Sequence, residues 1–473
     1  MDTRKNTAYN VAYRVFSILL PLVTAPFLSR TVGTDGVGLY SYAWNISYFA
    51  CLAAMLGLEN YGTRAVAAAR DDPDALNRVF SSIWRMQRAV AAAVLAVWLV
   101  YVFAVSGEER PIALSLTMMS VSCLVNLDWA LMGLDRFRPI ALRNTFVKLL
   151  AAACVFIFIR GKEDLWIYGF AWSAATLAGC LLSAASLRGR VRLVRVTRNE
   201  ALRHFRPCAL LFVSVLATSV YRVMDKVMVS AIAGYDQNGL YENAEKIIYC
   251  LSGFISAVGT VMLPKISALQ KKGETERIRR HLDGTMQGIM AMTSCMAFGV
   301  AAVADRLCPL FYGEDFAGSA PLMAPLGFSL MMIGFANVIR TQWILPQERD
   351  RIVVRSVCAG AVINLAVNAL LIPRMDAMGA VIGTLAAELT VPLAQWIQLR
   401  GELNYRRYLL HTAAASLIGL AMFGAVRLLG SVLPVTWPAL ALQIAAGALL
   451  AGILFLLLWK ATGSPMLRLL RRR

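Results

Sequence analysis

Fourteen stretches of this chain stay apolar over about the twenty residues that a helix needs to cross a bilayer, and no other feature limits its fold as much. They lie at about 10–31, 37–58, 82–105, 112–134, 141–159, 165–187, 208–233, 240–263, 284–303, 320–345, 352–372, 378–399, 409–429 and 437–459, or reduce to twelve if one pair is misread. With 58% hydrophobic and 16% charged residues over 473 positions, and a mean hydropathy of +0.60, a soluble multidomain protein is excluded. The expected fold is an all-α integral membrane protein.

Charge sets the orientation. Alternate loops on one side hold 32 of the 47 Lys and Arg, including the run Arg188, Arg190, Arg192, Arg195, Arg198, Arg203 and Arg206, and the opposite loops hold six. Basic loops stay cytoplasmic, so both termini are expected there, in agreement with the even span count. The same rule accounts for most of the +19 net charge and leaves no ground for a nucleic-acid partner, since the basic runs are short and lack interleaved aromatics. Attraction to anionic lipid headgroups adds to it. The loops 187–206 and 265–283 are basic, read as helical, and are expected to lie along the membrane surface. The N-terminus leads into a full-length apolar segment without a small-residue cleavage site, so it reads as a retained helix.

The loops are short, with none above about twenty-five residues, which leaves no room for a soluble catalytic domain. No G-x-x-x-x-G-K-[ST] phosphate loop occurs. The nine cysteines sit in or beside apolar runs without C-x-x-C spacing and read as packing residues. His204, His281 and His411 lie in or beside cytoplasmic loops and assemble no metal site. No cofactor is expected.

An internal repeat organises the spans. Shifted by 201 residues, Ser29, Gly33, Asp35, Gly38, Leu39, Tyr40, Ala43, Ile46 and Tyr48 match Ser230, Gly234, Asp236, Gly239, Leu240, Tyr241, Ala244, Ile247 and Tyr249, and the turn residues agree as well as the apolar ones. Six spans fit within that offset, so the halves share one orientation and are expected to be related by a pseudo-two-fold along the membrane normal, as in parallel transporter repeats. The expected domains are a six-helix lobe with a basic linker at 1–206, its repeat at 207–400, and an extra helix pair with a basic tail at 401–473.

Charges inside apolar spans cost about 2.5–3.5 kcal/mol each on insertion scales and mark functional sites. Arg222, Asp225 and Lys226 fall on one helical face, and Glu242, Glu245, Lys246 and Tyr249 on the face of the next helix, so the hairpin reads as one wall of a polar cavity. A structural ion-pair set is the alternative and is compatible with that reading. Arg85, Arg88, Lys148 and Arg340 sit near cytoplasmic helix ends, where snorkelling accounts for them. Arg14 either snorkels or marks the mouth of the cavity. Asp128 and Glu388 lie in spans without an obvious local partner; each reads as a structural hydrogen-bonding group or a carrier of coupling protons or cations, and Asp225 is the stronger coupling candidate.

The opening N-x-x-Y-R, the run from Leu19 to Tyr40 and L-G-L-E-N-Y-G-T-R at Leu56 to Arg64 resemble the polysaccharide-transporter flippases of the multidrug/oligosaccharidyl-lipid/polysaccharide exporter superfamily. Met224-Asp225-Lys226, Gly239-Leu240-Tyr241 and Leu263-Pro264-Lys265-Ile266-Ser267 resemble the second half of that family. The resemblance implies two six-helix lobes around a central cavity and movement of an undecaprenyl-pyrophosphate-linked oligosaccharide between leaflets of a bacterial inner membrane by alternating access, coupled to an ion gradient. It implies that Arg14 and Arg64 receive the pyrophosphate and that Arg222, Lys226 and Lys246 hold it. It implies sugar contacts at Trp44, Asn45, Tyr48 and Tyr249, and coupling at Asp225 or Glu242. The implied partners are the lipid-linked substrate, membrane lipids, and a polysaccharide polymerase or chain-length regulator, with a monomer as the default state. Two other functions remain: an H+- or Na+-coupled exporter of drugs or metabolites on the same architecture, and a membrane glycosyltransferase or polymerase, which the short outer loops disfavour.

Overall fold

The computed structural model describes the backbone of residues 3–463, and the side chains of that stretch except at 3–19, 21, 137, 138 and 214. No strand occurs among the described residues. The chain divides into two compact units, Met1–Ser230 and Ala231–Arg473. The first holds α1 (Thr3–Met55), α2 (Leu58–Ala69), α3 (Pro73–Val100), α4 (Arg110–Ser122), α5 (Asp128–Gly133), α6 (Phe137–Phe158), α7 (Leu165–Ala185), α8 (Arg198–Leu202) and most of α9 (Phe205–Ala233). The second holds α10 (Tyr235–Lys271), α11 (Thr275–Tyr312), α12 (Ala320–Leu326), α13 (Ser329–Ile339), α14 (Asp350–Gln398), α15 (Tyr405–Val432) and α16 (Trp437–Ala461).

Nine helices among the described residues are long and apolar enough to cross a membrane, or ten if the bent pair Arg198–Val213 and Val215–Ala233 is one span. The other expected spans fall where a helix is broken. The first two lie on α1, interrupted at Gly33, and the eleventh and twelfth share α14, interrupted at Asp376. The two turn glycines matched by the repeat have similar backbone angles. Gly33 has φ 69° and ψ −177°, and Gly234, 201 positions on, has φ 97° and ψ 168°. That region is open essentially to glycine alone, and at each of these glycines the chain bends between two helical segments.

The expected fourth span, 112–134, is not continuous: it breaks between α4 and α5 at 123–127. Side chains explain why the break is tolerated at membrane depth, where an unsatisfied backbone group is costly. Asn126 Oδ1 accepts from the Asp128 amide at 3.0 Å, a local turn that competes with the helix. From α3, Gln87 Nε2 donates to the Cys123 and Asn126 carbonyls at 2.7 and 2.8 Å, Trp84 Nε1 donates to the Leu124 carbonyl at 3.0 Å, and Gln87 Oε1 accepts from Trp129 Nε1 at 2.9 Å. Gln87 is 1% exposed and every polar atom of its amide is used in this clasp.

A second departure concerns the linker. Residues 191–197 are extended, and only α8 within 187–202 is helical. Arg188 and Arg192 would stack like charges at i,i+4 in a helix, whereas the extended chain gives its amides to α3: Arg192 N donates to Asn77 Oδ1 at 2.7 Å and Val194 N to Ser81 Oγ at 3.0 Å. Arg85 of α3 donates to the Val196 carbonyl. His204, 4% exposed, closes the strap between Tyr61 Oη at 2.7 Å and Ser82 Oγ at 2.9 Å.

In the second unit α11 is the central helix, with Leu282, Met286, Ile289 and Met290 packed among Trp343, Tyr408 and Phe455. The α15–α16 pair belongs to this core. Arg306 of α11 donates to the Gly430, Leu433 and Pro434 carbonyls at and just beyond the end of α15, and Arg427 pairs with Asp305 at 2.5 Å. On the loop before α15, Glu402 accepts from Arg349 at 2.7 Å and from Trp343 Nε1 at 2.9 Å, and the Arg349 hydrogen bond, helped by that of Trp343, holds its carboxyl below the usual range.

Replacing Gly33 or Gly234 by alanine is expected to cost about 1–3 kcal/mol each, read as matching drops in the thermal midpoint of detergent-purified protein. Because the pKa of Glu402 is lower folded than unfolded, its stabilisation is complete above the unfolded value of 4.5 and is lost as pH falls through the folded one. Glu402→Gln should lower stability by about 1–2 kcal/mol at neutral pH and flatten that acid limb of the stability–pH curve.

Candidate functional site

The charged residues singled out by the sequence fall in both units, and each set stands on its own geometry. In the first unit, Arg222, Asp225 and Lys226 occupy one turn of α9. Asp225 is 4% exposed, Lys226 is half-buried and Arg222 is exposed. Two cations thus flank a buried carboxylate inside an apolar helix, and the more exposed one is the guanidinium. Arg64 is exposed on α2. The side chain of Arg14 lies outside the described residues.

The second half of α1 carries Tyr40, Trp44 and Tyr48 at i, i+4 and i+8, hence on one face. Tyr40 stacks on Tyr168 with centroids 4.7 Å apart, and Trp44 meets Trp172 edge-on at 5.2 Å. Both partners come from α7, where they too are four residues apart. Tyr48 Oη lies 3.2 Å from Ser219 Oγ of α9, which joins the aromatic face to the helix bearing Asp225. Asn45 is 7% exposed and donates to Ser41 Oγ at 3.2 Å, so its amide faces its own helix. Reading the spans one at a time missed Tyr168 and Trp172, although their i,i+4 spacing repeats that of Tyr40 and Trp44.

In the second unit, Lys246 Nζ of α10 is 3.7 Å from Glu242 Oε1 and donates to Asn243 Oδ1 at 3.3 Å. Asn243 is fully buried, and its carbonyl accepts from Tyr312 Oη at 3.0 Å, which ties this turn of α10 to α11. Tyr249 is exposed on the same helix and Glu388 is half-buried on α14. Among the expected polar residues of this unit, Glu242 and Lys246 form an ion pair.

The expectation that Asp128 lacks a local partner is corrected. Arg143 of α6 donates from both Nη atoms to the two Asp128 oxygens at 2.7 and 2.6 Å, and both side chains are about nine-tenths buried. Arg143 points inward because the α4–α5 break brings the carboxylate to it. A bidentate pair of this kind is strong and directional. No group of three or more His, Cys, Asp or Glu among the described residues could hold a metal ion.

Residues 3–270 match the family model described as "Polysaccharide biosynthesis protein". An Escherichia coli (strain K12) protein named as a candidate O-antigen transporter is 21% identical over 399 residues, which cover 83% of this chain and 95% of that protein. Among solved structures, the lipid II flippase MurJ in an inward closed conformation aligns with a TM-score of 0.80 at 15% identity, covering 96% of this chain and 99% of that one. An inward-facing MATE-family multidrug resistance transporter aligns at 0.61 and 13% identity, covering 86% and 99%. These two likenesses establish that the chain shares the fold of these two transporters.

Removing one member of the Asp128–Arg143 pair leaves a buried charge. Asp128→Ala is expected to cost about 3–5 kcal/mol, and the double variant Asp128→Ala/Arg143→Leu to regain most of it, in thermal-midpoint measurements on purified protein.

Proposed function

Because the chain belongs to the polysaccharide biosynthesis protein family, we propose that it is a flippase that moves a lipid-linked oligosaccharide repeat unit from the inner to the outer leaflet of a bacterial inner membrane. The single observation that carries the mechanism is the turn Arg222–Lys226 of α9, where an exposed guanidinium and a half-buried ammonium stand beside a buried carboxylate within an apolar helix. The cargo is an undecaprenyl pyrophosphate, whose linked phosphates need compact cationic partners. Arg supplies a planar fork for bidentate contact and Lys a point charge. Arg14 and Arg64 receive the pyrophosphate on the cytoplasmic side, and Arg222, Lys226 and Lys246 hold it during passage. Tyr48 and Tyr249 offer ring faces and hydroxyls to the sugars, and the Tyr40–Trp44–Tyr168–Trp172 cluster sets the position of the α1 face that carries Tyr48. Asn45 serves that face through its bond to Ser41.

Transport proceeds by alternating access. Protonation or cation binding at Asp225 or Glu242, with Glu388 as a further candidate, biases the two states, since a ligand shifts such an equilibrium only by its differential affinity for them. Glu242 already has a cationic neighbour in Lys246, so a proton or cation arriving there competes with the ion pair and frees the ammonium for phosphate. The protein works as a monomer, with both termini cytoplasmic, and hands its product to a polysaccharide polymerase and chain-length regulator. Likeness to the multidrug transporter concerns the fold and carries no information about cargo.

The double variant Arg222→Ala/Lys226→Ala removes two charge-assisted contacts of about 1.5–3 kcal/mol each. Surface polymer should fall at least about tenfold at an unchanged protein level, while the complete lipid-linked repeat unit accumulates on the cytoplasmic leaflet of the host. Normal polymer with no accumulated intermediate would overturn the anion-holding role.

A further inference from the structure

Several arginines on the basic face of this protein are neutralised by a specific acid. Arg70 pairs with Asp135, Arg277 with Glu274, Arg279 with Glu276, Arg349 with Glu402 and Arg407 with Asp283. The strap at 188–197 differs. Arg190, Arg192 and Arg195 are exposed, and their side chains have no hydrogen-bond or ion-pair partner among the described residues. Between them Leu193 and Val194 are 63% and 40% exposed, although the backbone beneath is pinned to α3 at Arg192, Val194 and Val196. An ordered extended segment that offers apolar side chains and unneutralised guanidinium groups together is matched to a surface that is apolar below and anionic above.

The neighbouring helix ends show where that surface runs. Leu181 and Leu182 at the end of α7, and Phe205 and Leu210 at the start of α9, are all exposed, so the strap continues the surface that faces hydrocarbon. We propose that residues 188–197 form a binding site for anionic phospholipid headgroups of the leaflet on the basic side, with Leu193 and Val194 seated at the acyl boundary and Arg190, Arg192 and Arg195 on the phosphates. The site is separate from the residues assigned to the cargo. Each basic residue at such a surface adds about 1 kcal/mol of attraction, which falls off within a Debye length.

The test places the full-length protein in phosphatidylcholine nanodiscs containing a minor fraction of spin-labelled phosphatidylglycerol and reads the motionally restricted fraction by electron paramagnetic resonance. The triple variant Arg190→Gln/Arg192→Gln/Arg195→Gln is compared with Arg277→Gln/Arg279→Gln/Arg280→Gln, which removes the same charge from the same face. Wild type should prefer phosphatidylglycerol over labelled phosphatidylcholine, with the preference weakening as salt rises. The strap variant should lose up to about fivefold in relative affinity per arginine, the control much less, and a Lys triple at the strap should retain the preference. No preference in wild type, equal losses in both triples, or loss in the Lys variant as complete as in the Gln variant would each overturn the site. If the Gln triple fails to assemble, Arg192→Gln alone decides: an unchanged preference overturns it as well.

Discussion

A polar group within an apolar bundle has no water to turn to, and this structure is arranged around that shortage of partners. Gln87 shows the consequence most directly. Its amide takes the carbonyls freed where α4 stops and anchors the indole of Trp129 where α5 starts, so one side chain makes a broken helix tolerable. The break then positions Asp128 against Arg143, and a charge that looks isolated along the chain becomes half of a buried bidentate pair. Arg306 does the same for the end of α15, covering three carbonyls and fixing the C-terminal helix pair to α11.

The polar groups of α9 and α10 become informative against this background. Asp225, buried between two cations of α9, and the Glu242–Lys246 pair of α10 sit in the spans that carry the internal repeat, next to the paired glycine bends. The chain belongs to a polysaccharide biosynthesis family, and under the proposed function these groups meet the phosphates of the cargo. On the basic loops, several arginines pair with a specific acid, whereas the side chains of Arg190, Arg192 and Arg195 on the strap have no such partner among the described residues.

Much of the fold was legible in the chain. Span positions, the repeat and the glycine turns follow from apolar run length and from a residue type that alone tolerates the bend, and both are local properties. The polar faces of α9 and α10 followed from helical spacing. Tyr168 and Trp172 were not legible as partners of Tyr40 and Trp44, because two i,i+4 pairs more than a hundred residues apart carry no mark of adjacency. Asp128 was misjudged for the same reason, since Arg143 lies fifteen residues away across a break that an unbroken apolar run conceals.

The sequence by itself determined that this protein is a helical membrane protein built from a repeated unit, because hydrophobic length and backbone hydrogen bonding leave no other solution. It also determined which few charges lie within the spans. Only the tertiary structure decided which of those charges are neutralised and which are exposed, where a helix breaks and what caps the break, and that the linker is an extended strap. Each of these depends on which side chains from distant helices reach the same point, and an interaction of that kind is fixed by packing in three dimensions.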